Sequence, residues 1–300
     1  MKKAFNGSPE NKVVTRPYNG EEVYNQVKNI DIVFGKHQKK KTTKKNIWNK
    51  RSVCFNLPYW CKFEVRHCID VMHIEKNVCD SVIGTLQKVK GKTKDGIKAR
   101  QDLVDMGILS KLHPQSIGRR TYLPPACHSL SRKEKQTFYQ CLKSVKVPQG
   151  YSSNISTLVS MQDLKLFGLK SHDCHVLMQQ LLLVAIQAIL PSSVRGIITC
   201  LCMFFNAICK KVIDLRVLND LENETITLLC QLEMYFPPSF FDIMVHLIVH
   251  LVRENRLCGP VFLTWMYPVE RYMKNLKGIC QESISTGSFN FRTVHCRRSH

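Results

Sequence analysis

Apolar positions recur at helical steps through most of the chain. Val23, Val27 and Ile30 stand at i, i+4 and i+7 behind Asn19 as an N-cap. With Glu21 and Glu22 in the first turn, they predict a short amphipathic helix. From Ile69 to Leu86, the residues Ile69, Met72, Val78, Val82, Ile83 and Leu86 recur mostly at three- and four-residue steps, predicting a second helix. A third spans Ala99 to Met106 and ends at Gly107. Ser131 opens a fourth, with Glu134 placed to complete a capping box. The short apolar run from Val53 to Tyr59 reads as a strand or as a loop packed on the core. After Pro148-Gln149-Gly150 the chain becomes a succession of helices. His175–Leu190 is stopped by Pro191, Val194–Val212 follows, and Leu218–Met234 is stopped by Pro237-Pro238. Phe240–Glu254 and Tyr267–Leu276 complete the series, the last with Pro268 in its first turn. Phe240, Phe241, Met244, Leu247, Ile248 and Leu251 tile one broad face and are expected in the core. The pattern predicts a mainly α fold with minor β, and a boundary near residues 148–150.

Charge divides the chain in the same place. The 300 residues carry a net +21, and residues 1–150 hold 30 basic and 12 acidic side chains against 14 and 11 in residues 151–300. A field of that sign favours a polyanion, nucleic acid before an anionic membrane. Lys36, Lys39, Lys40, Lys41, Lys44, Lys45, Lys50 and Arg51 form a tract without an acid. It reads as a solvated, phosphate-contacting loop, a nuclear localisation patch or a plain linker. Lys92 and Lys94, in the basic turn Gly91–Gly96, are further candidates for phosphate contact. The 14 cysteines lie largely in apolar runs, with no C-x-x-C spacing and no apolar leader at the N-terminus. They read as reduced hydrophobes of a cytosolic or nuclear protein, and no zinc-knuckle spacing is present. The longest apolar candidate, Val176–Leu190, is short and holds Gln179, Gln180 and Gln187, so it is a buried helix and not a membrane span.

Few motifs carry chemistry. Asp242, His246, His250 and Glu254 fall four apart on one helix, but Leu247 stands where the zinc signature H-E-x-x-H needs Glu. A polar seam between packed helices is the favoured reading. In His172-Asp173-Cys174-His175, Asp173 is expected as an N-cap. Neither a phosphate-binding P-loop nor a G-x-S-x-G elbow occurs. Asp70, with Glu75 on the following helix, and Glu270, after Trp265 and Tyr267, are acids at helix starts; surface ion pairing is their ordinary role.

Two stretches resemble known sequences. Leu57-Pro58-Tyr59-Trp60, Asp70–Asp80 (D-V-M-H-I-E-K-N-V-C-D) and Gly91–Asp95 (G-K-T-K-D) closely resemble the C-terminal part of plant CACTA-type (En/Spm-like) transposases. Residues 166–278, with H-D-C-H-V-L-M-Q-Q, E-M-Y-F-P-P-S-F-F-D and W-M-Y-P-V-E-R-Y-M, resemble the domain of unknown function 4218 that accompanies them. The resemblance implies a DDE-type transposase with an RNase H-like core, in which three carboxylates hold two Mg²⁺ ions for strand transfer. By that resemblance Glu270 corresponds to the last acid, and Asp70 is a second candidate. The resemblance also implies an upstream segment before Met1 and a basic continuation after Gly278, so the chain reads as truncated at both ends.

The expected organisation is a basic lead-in with one short helix (1–52), a transposase-like segment (53–148), a helical domain (166–278) and an unstructured tail (279–300). A helical domain attached to a partial RNase H-like remnant cannot assemble the full acid set. The leading expectation is a nuclear, transposon-derived fragment that associates nonspecifically with nucleic acid and is not catalytic alone. It needs no cofactor, Mg²⁺ entering only with a complete transposase. The alternatives are a subunit of an active DDE-type transposase and a protein-interaction module.

Overall fold

The computed structural model describes residues 16, 18–30, 51–65, 68–118, 120–151 and 153–285, with side chains described up to residue 278. Most of the lysine tract, Lys36 to Lys50, lies outside the described residues, and only Arg51 of that tract is placed.

Helix α1 (Gly20–Val27) opens on the capping box that Asn19 and Glu22 form, with Glu22 N–H donating to Asn19 Oδ1 at 2.9 Å. Gly20 is required there by close approach, because a Cβ would sit 2.0 Å from the carbonyl oxygen of Cys61. Residues Val53–Asn56 and Trp60–Lys62 form 3₁₀ turns with Val53 and Tyr59 facing solvent, so the run expected as a strand or packed loop is neither. Helix α2 (Val71–Leu86) is apolar around most of its circumference, and such a helix must be enclosed on several sides. Its buried residues include Val71, Ile74, Val78, Cys79, Val82, Ile83 and Leu86. Gly84 lets the turn at Lys92 press against it, since a Cβ would lie 2.9 Å from the Lys92 carbonyl oxygen.

Helix α3 (Ile97–Met106) ends on Gly107 in the left-handed region, φ 69°. A two-stranded antiparallel ribbon, β1 (Gln115–Ile117) and β2 (Arg120–Tyr122), precedes α4 (Arg132–Lys143). Ser131 and Glu134 make the expected capping box on α4. A second ribbon pairs β3 (Val159–Ser160) with β4 (Lys165–Leu166). The remaining elements are helical: α5 (Ser171–Val176), a π-helical turn (Leu177–Leu181), α6 (Leu182–Ile186), α7 (Ser192–Ile208), α8 (Leu215–Tyr235), α9 (Ile243–Cys258) and α10 (Tyr267–Ser285). The protein is mainly α with minor β, as the periodicity predicts. Among the described residues the strands pair only as these two ribbons and build no central sheet of an RNase H-like kind.

The core is continuous across the expected boundary. Pro148-Gln149-Gly150 is an exposed turn with Gly150 at φ 80°. One apolar cluster nonetheless joins Ile74 and Val78 of α2 and Phe138 and Leu142 of α4 to Leu177, Phe205, Leu228 and Ile248 from the later helices. Helix α2 packs on α5 and α9, and α4 packs on α6. The excess of positive charge falls away after residue 150, but the apolar core does not divide there, because each half alone would leave an apolar face in water.

Helix ends supply the other differences. The helix placed from Phe240 begins at Ile243, since Pro238–Phe240 is a 3₁₀ turn and Asp242 caps α9 through the N–H groups of Met244 and Val245. Its buried face is Val245, Ile248, Leu251, Val252 and Asn255, while Phe241, Met244 and Leu247 are only half-buried against the core. Helix α10 does not end at Leu276 but continues to Ser285, seven residues beyond Gly278 and into the expected tail.

Candidate functional site

The motifs around Glu75 and His175 meet in the fold. Glu75 lies on the second turn of α2, buried against α5, and its Oε2 is 2.7 Å from His175 Nδ1. The Glu75 side chain is 3% exposed and the His175 side chain 18%, so the pair sits at the inner end of a narrow polar edge. Gln179 comes from the π-helical turn, where the widened backbone advances its side chain. Its Nε2 donates to Glu75 Oε1 at 3.2 Å and lies 3.1 Å from His175 Nδ1. Cys209, just past the end of α7, completes the group: the ligand atoms of Glu75, His175 and Cys209 all lie within 4.8 Å of one another. Burial, reinforced by the Glu75 charge, pushes the Cys209 thiol far above its usual range, and Gln179 opposes this.

Aromatic side chains from the segment leading into α10 cover this cluster. Trp265 meets the His175 ring edge-on at 5.5 Å, and Tyr267 meets His172 at 6.1 Å. The Tyr267 hydroxyl is buried with no hydrogen-bond partner. Burial, together with Glu75, Cys174, Cys209 and Glu270, raises that phenol above its ordinary range. Asn255 of α9 donates to the Ile208 carbonyl at 3.1 Å and so fixes the chain immediately before Cys209.

A second buried polar group joins the two halves. Arg100 of α3 pairs with Asp95 through both Nε and Nη2, the latter at 2.6 Å, and its Nη1 donates to the Leu112 carbonyl. His128 Nε2 lies 3.0 Å from Asp95 Oδ2, and its ring stacks on Phe236 at 4.8 Å. Burial pushes Asp95 up, but hydrogen bonds from His128 and Arg100 outweigh it and hold the carboxyl at about 2. His128 is raised despite its burial, by Asp95 and Cys127. With all its members engaged, this group fastens structure and leaves no atom for a ligand.

Asp70 is the N-cap of α2, accepting from the His73 N–H at 3.1 Å. Glu270 is exposed in the first turn of α10. Neither belongs to a group of three or more metal-ligating side chains, for among the described residues Glu75, His175 and Cys209 form the only such group. The described residues therefore do not supply the carboxylate site that two Mg²⁺ ions need. Lys92 pairs with Asp80 at 2.9 Å, and Lys94 pairs with Asp242 at 2.8 Å. Arg51 donates to Asn56 Oδ1 and the Lys28 carbonyl. Lys94 is further tied down by its own backbone, its N–H donating to Thr85 Oγ1 and its carbonyl accepting from Ser239.

The four-residue stripe on α9 is not a seam between helices. His246 and His250 are exposed, their Nε2 atoms 3.2 Å apart, while Glu254 accepts the Ile69 N–H at 2.7 Å. Asp173 does not cap α5 from outside but sits at its third position, accepting from Lys170 N–H and from Ser153 Oγ at 2.6 Å. The pairing of Glu75 with His175 spans 100 positions, and no local spacing announces it. The readable signal was only that each lies in a motif of unusual polarity on an otherwise apolar helix.

A family model described as Domain of unknown function (DUF4218) matches residues 208–289. That span takes in Cys209, α8, α9 and α10, but neither Glu75 nor His175. No curated protein and no solved structure matches the chain.

Proposed function

We propose that this chain is a transposon-derived helical protein of CACTA-type ancestry, acting in the nucleus, that associates with nucleic acid through nonspecific phosphate contacts. The observation that carries this reading is the charge, 30 basic against 12 acidic residues over positions 1–150. The match to DUF4218 at residues 208–289 supports the ancestry, since that domain accompanies transposase-like sequences of this kind. Lys88, Lys90 and Lys98 support the mode of contact: they are exposed around the turn that follows α2. Lys92 and Lys94 serve it less well, being matched to Asp80 and Asp242. The chain is not a nuclease by itself on this reading, because Asp70 is engaged as a helix cap and Glu270 stands apart on an exposed turn.

The test is binding of two unrelated DNA duplexes of equal length, followed by incubation with Mg²⁺ or Mn²⁺. Equal affinities and intact DNA are expected. Cleavage that disappears in Glu270→Gln would replace this reading with that of an active transposase subunit. A protein-interaction role has one specific footing, the groove between α7 and α8 lined by Met203, Phe204, Leu221 and Leu228. Failure to bind nucleic acid even at low salt would favour it.

A further inference from the structure

We propose that Glu75, His175 and Cys209 bind one zinc ion, with Gln179 orienting Glu75 from behind. The three donor atoms come from three separate parts of the chain and lie within 4.8 Å of one another. Tetrahedral zinc, with bonds of about 2.0–2.3 Å, holds its donors roughly 3.4–3.6 Å apart. The 2.7 Å contact between His175 Nδ1 and Glu75 Oε2 must therefore open by less than about 1 Å, and the longer separations, up to 4.8 Å, must close by about as much.

Four observations favour a metal over a simple hydrogen-bonded seam. Glu75 is a buried carboxylate with no lysine or arginine paired to it among the described residues, only His175 and the neutral Gln179 amide. The Tyr267 hydroxyl is buried nearby without a partner, and a water in the fourth zinc position would give it one. The π-helical turn Leu177–Leu181 departs from regular hydrogen bonding at the residue that reaches the cluster, Gln179. Finally, His175 remains 18% exposed and leaves a route for an ion to arrive.

The donor set decides which ion. Imidazole nitrogen, thiolate sulfur and one carboxylate suit zinc, whereas magnesium and calcium demand oxygen throughout. On binding, the Cys209 S–H bond is replaced by a zinc–sulfur bond and the proton passes to solvent. His175 gives up the Nδ1 proton that it donates to Glu75 Oε2, binds through Nδ1 and carries its remaining proton on Nε2. The three protein donors then become one cross-link between α2, α5 and the end of α7.

The test is titration of the full-length, chelator-stripped protein with Co²⁺, a spectroscopic substitute for zinc, with competition by Zn²⁺. One equivalent should bind and give a sulfur-to-metal charge-transfer band, which Zn²⁺ displaces. Cys209→Ser should abolish the band, while Cys230→Ser, at an exposed position on α8, should leave it intact. Gln179→Ala should weaken affinity about 10–100-fold, the usual cost of losing an outer-shell partner. Should Cys209→Ser fail to fold, His175→Gln gives the same reading from the half-open side of the site and should weaken binding further than Gln179→Ala. No stoichiometric binding by the folded protein, or a band that survives Cys209→Ser, would overturn the assignment and leave a hydrogen-bonded seam only. Affinity in folded His175→Gln equal to that of the unchanged protein would overturn it as well.

Discussion

His128 Nδ1 lies 2.9 Å from the carbonyl oxygen of Tyr235, the last residue of α8, across 107 positions of sequence. The other ring nitrogen faces Asp95 Oδ2. A carbonyl and a carboxylate both accept, so the ring satisfies both only as an imidazolium donating from each side. Its charge then also faces the negative end of the α8 dipole. The contact ties the turn between β2 and α4 to the end of a helix in the second half, one of the reasons the two halves do not part at residue 150.

That geometry fixes a pH dependence. Asp95 is held at about 2, below its ordinary 3.8, so its contribution to stability is present above the ordinary value and fades as pH falls toward 2. His128 is raised above its ordinary 6.5, so its contribution is complete below 6.5 and is lost as pH rises through the folded value. Urea unfolding followed from pH 4 to 9 should show greatest stability on the acidic side of neutrality, and His128→Phe should flatten the alkaline limb. Asp95→Asn should cost about 3–5 kcal/mol, since it leaves the Arg100 guanidinium buried without its partner.

On α9, neighbouring residues should respond differently to truncation. Ile248 is fully buried, and Ile248→Ala should cost about 2–5 kcal/mol by opening a cavity between α9 and the core. Leu247 is half-buried, so Leu247→Ala should cost clearly less. Chemical denaturation of the two variants side by side checks the order, and equal losses would mean that α9 is rotated from its described position.

The shared core makes a prediction about fragments. Residues 166–278 expressed alone would present to water the faces of α5, α6 and α9 that α2 and α4 cover. The fragment should be aggregation-prone or lack a cooperative transition, while the full chain melts cooperatively. A fragment that unfolds sharply would show that α2 and α4 are dispensable to the helical unit.

Lysines in one turn should differ in their effect on nucleic-acid binding. Replacing the exposed Lys88 and Lys90 by Ala should weaken affinity more than replacing Lys92 and Lys94, whose charges Asp80 and Asp242 already offset. Lys94 is 30% exposed in its pair, so losing it should alter stability by no more than about 1 kcal/mol. Fluorescence anisotropy with the two double variants makes the comparison.

What was legible in the sequence was local. Asn19 with Glu22, Ser131 with Glu134, and Gly107 act within one turn, and each cap stands where its spacing places it. Helix identity was legible for the same reason, because the 3.6-residue period is a property of neighbours. Asp242 misled because a cap and a first-turn residue look alike in a four-residue stripe, and the 3₁₀ turn at Pro238–Phe240 settles which it is. Asp173 misled because the helix starts two residues earlier, at Ser171. The Glu75–His175–Cys209 group and the Asp95–Arg100–His128 group were not legible, since both depend on packing between segments far apart in sequence. Charge marked a division at residue 150 that burial ignores, because solvation acts on the surface and the core answers only to apolar faces.

The claim of nonspecific phosphate contact is tested most directly by the salt dependence of binding to a short DNA duplex. Each phosphate neutralised releases counterions and adds about 0.9 to the slope of log affinity against log salt. Binding is expected to be roughly micromolar or weaker at physiological salt, with a slope equivalent to several phosphates, on the order of −3 or steeper. Tight binding that salt barely changes, or no binding at low salt, would contradict it.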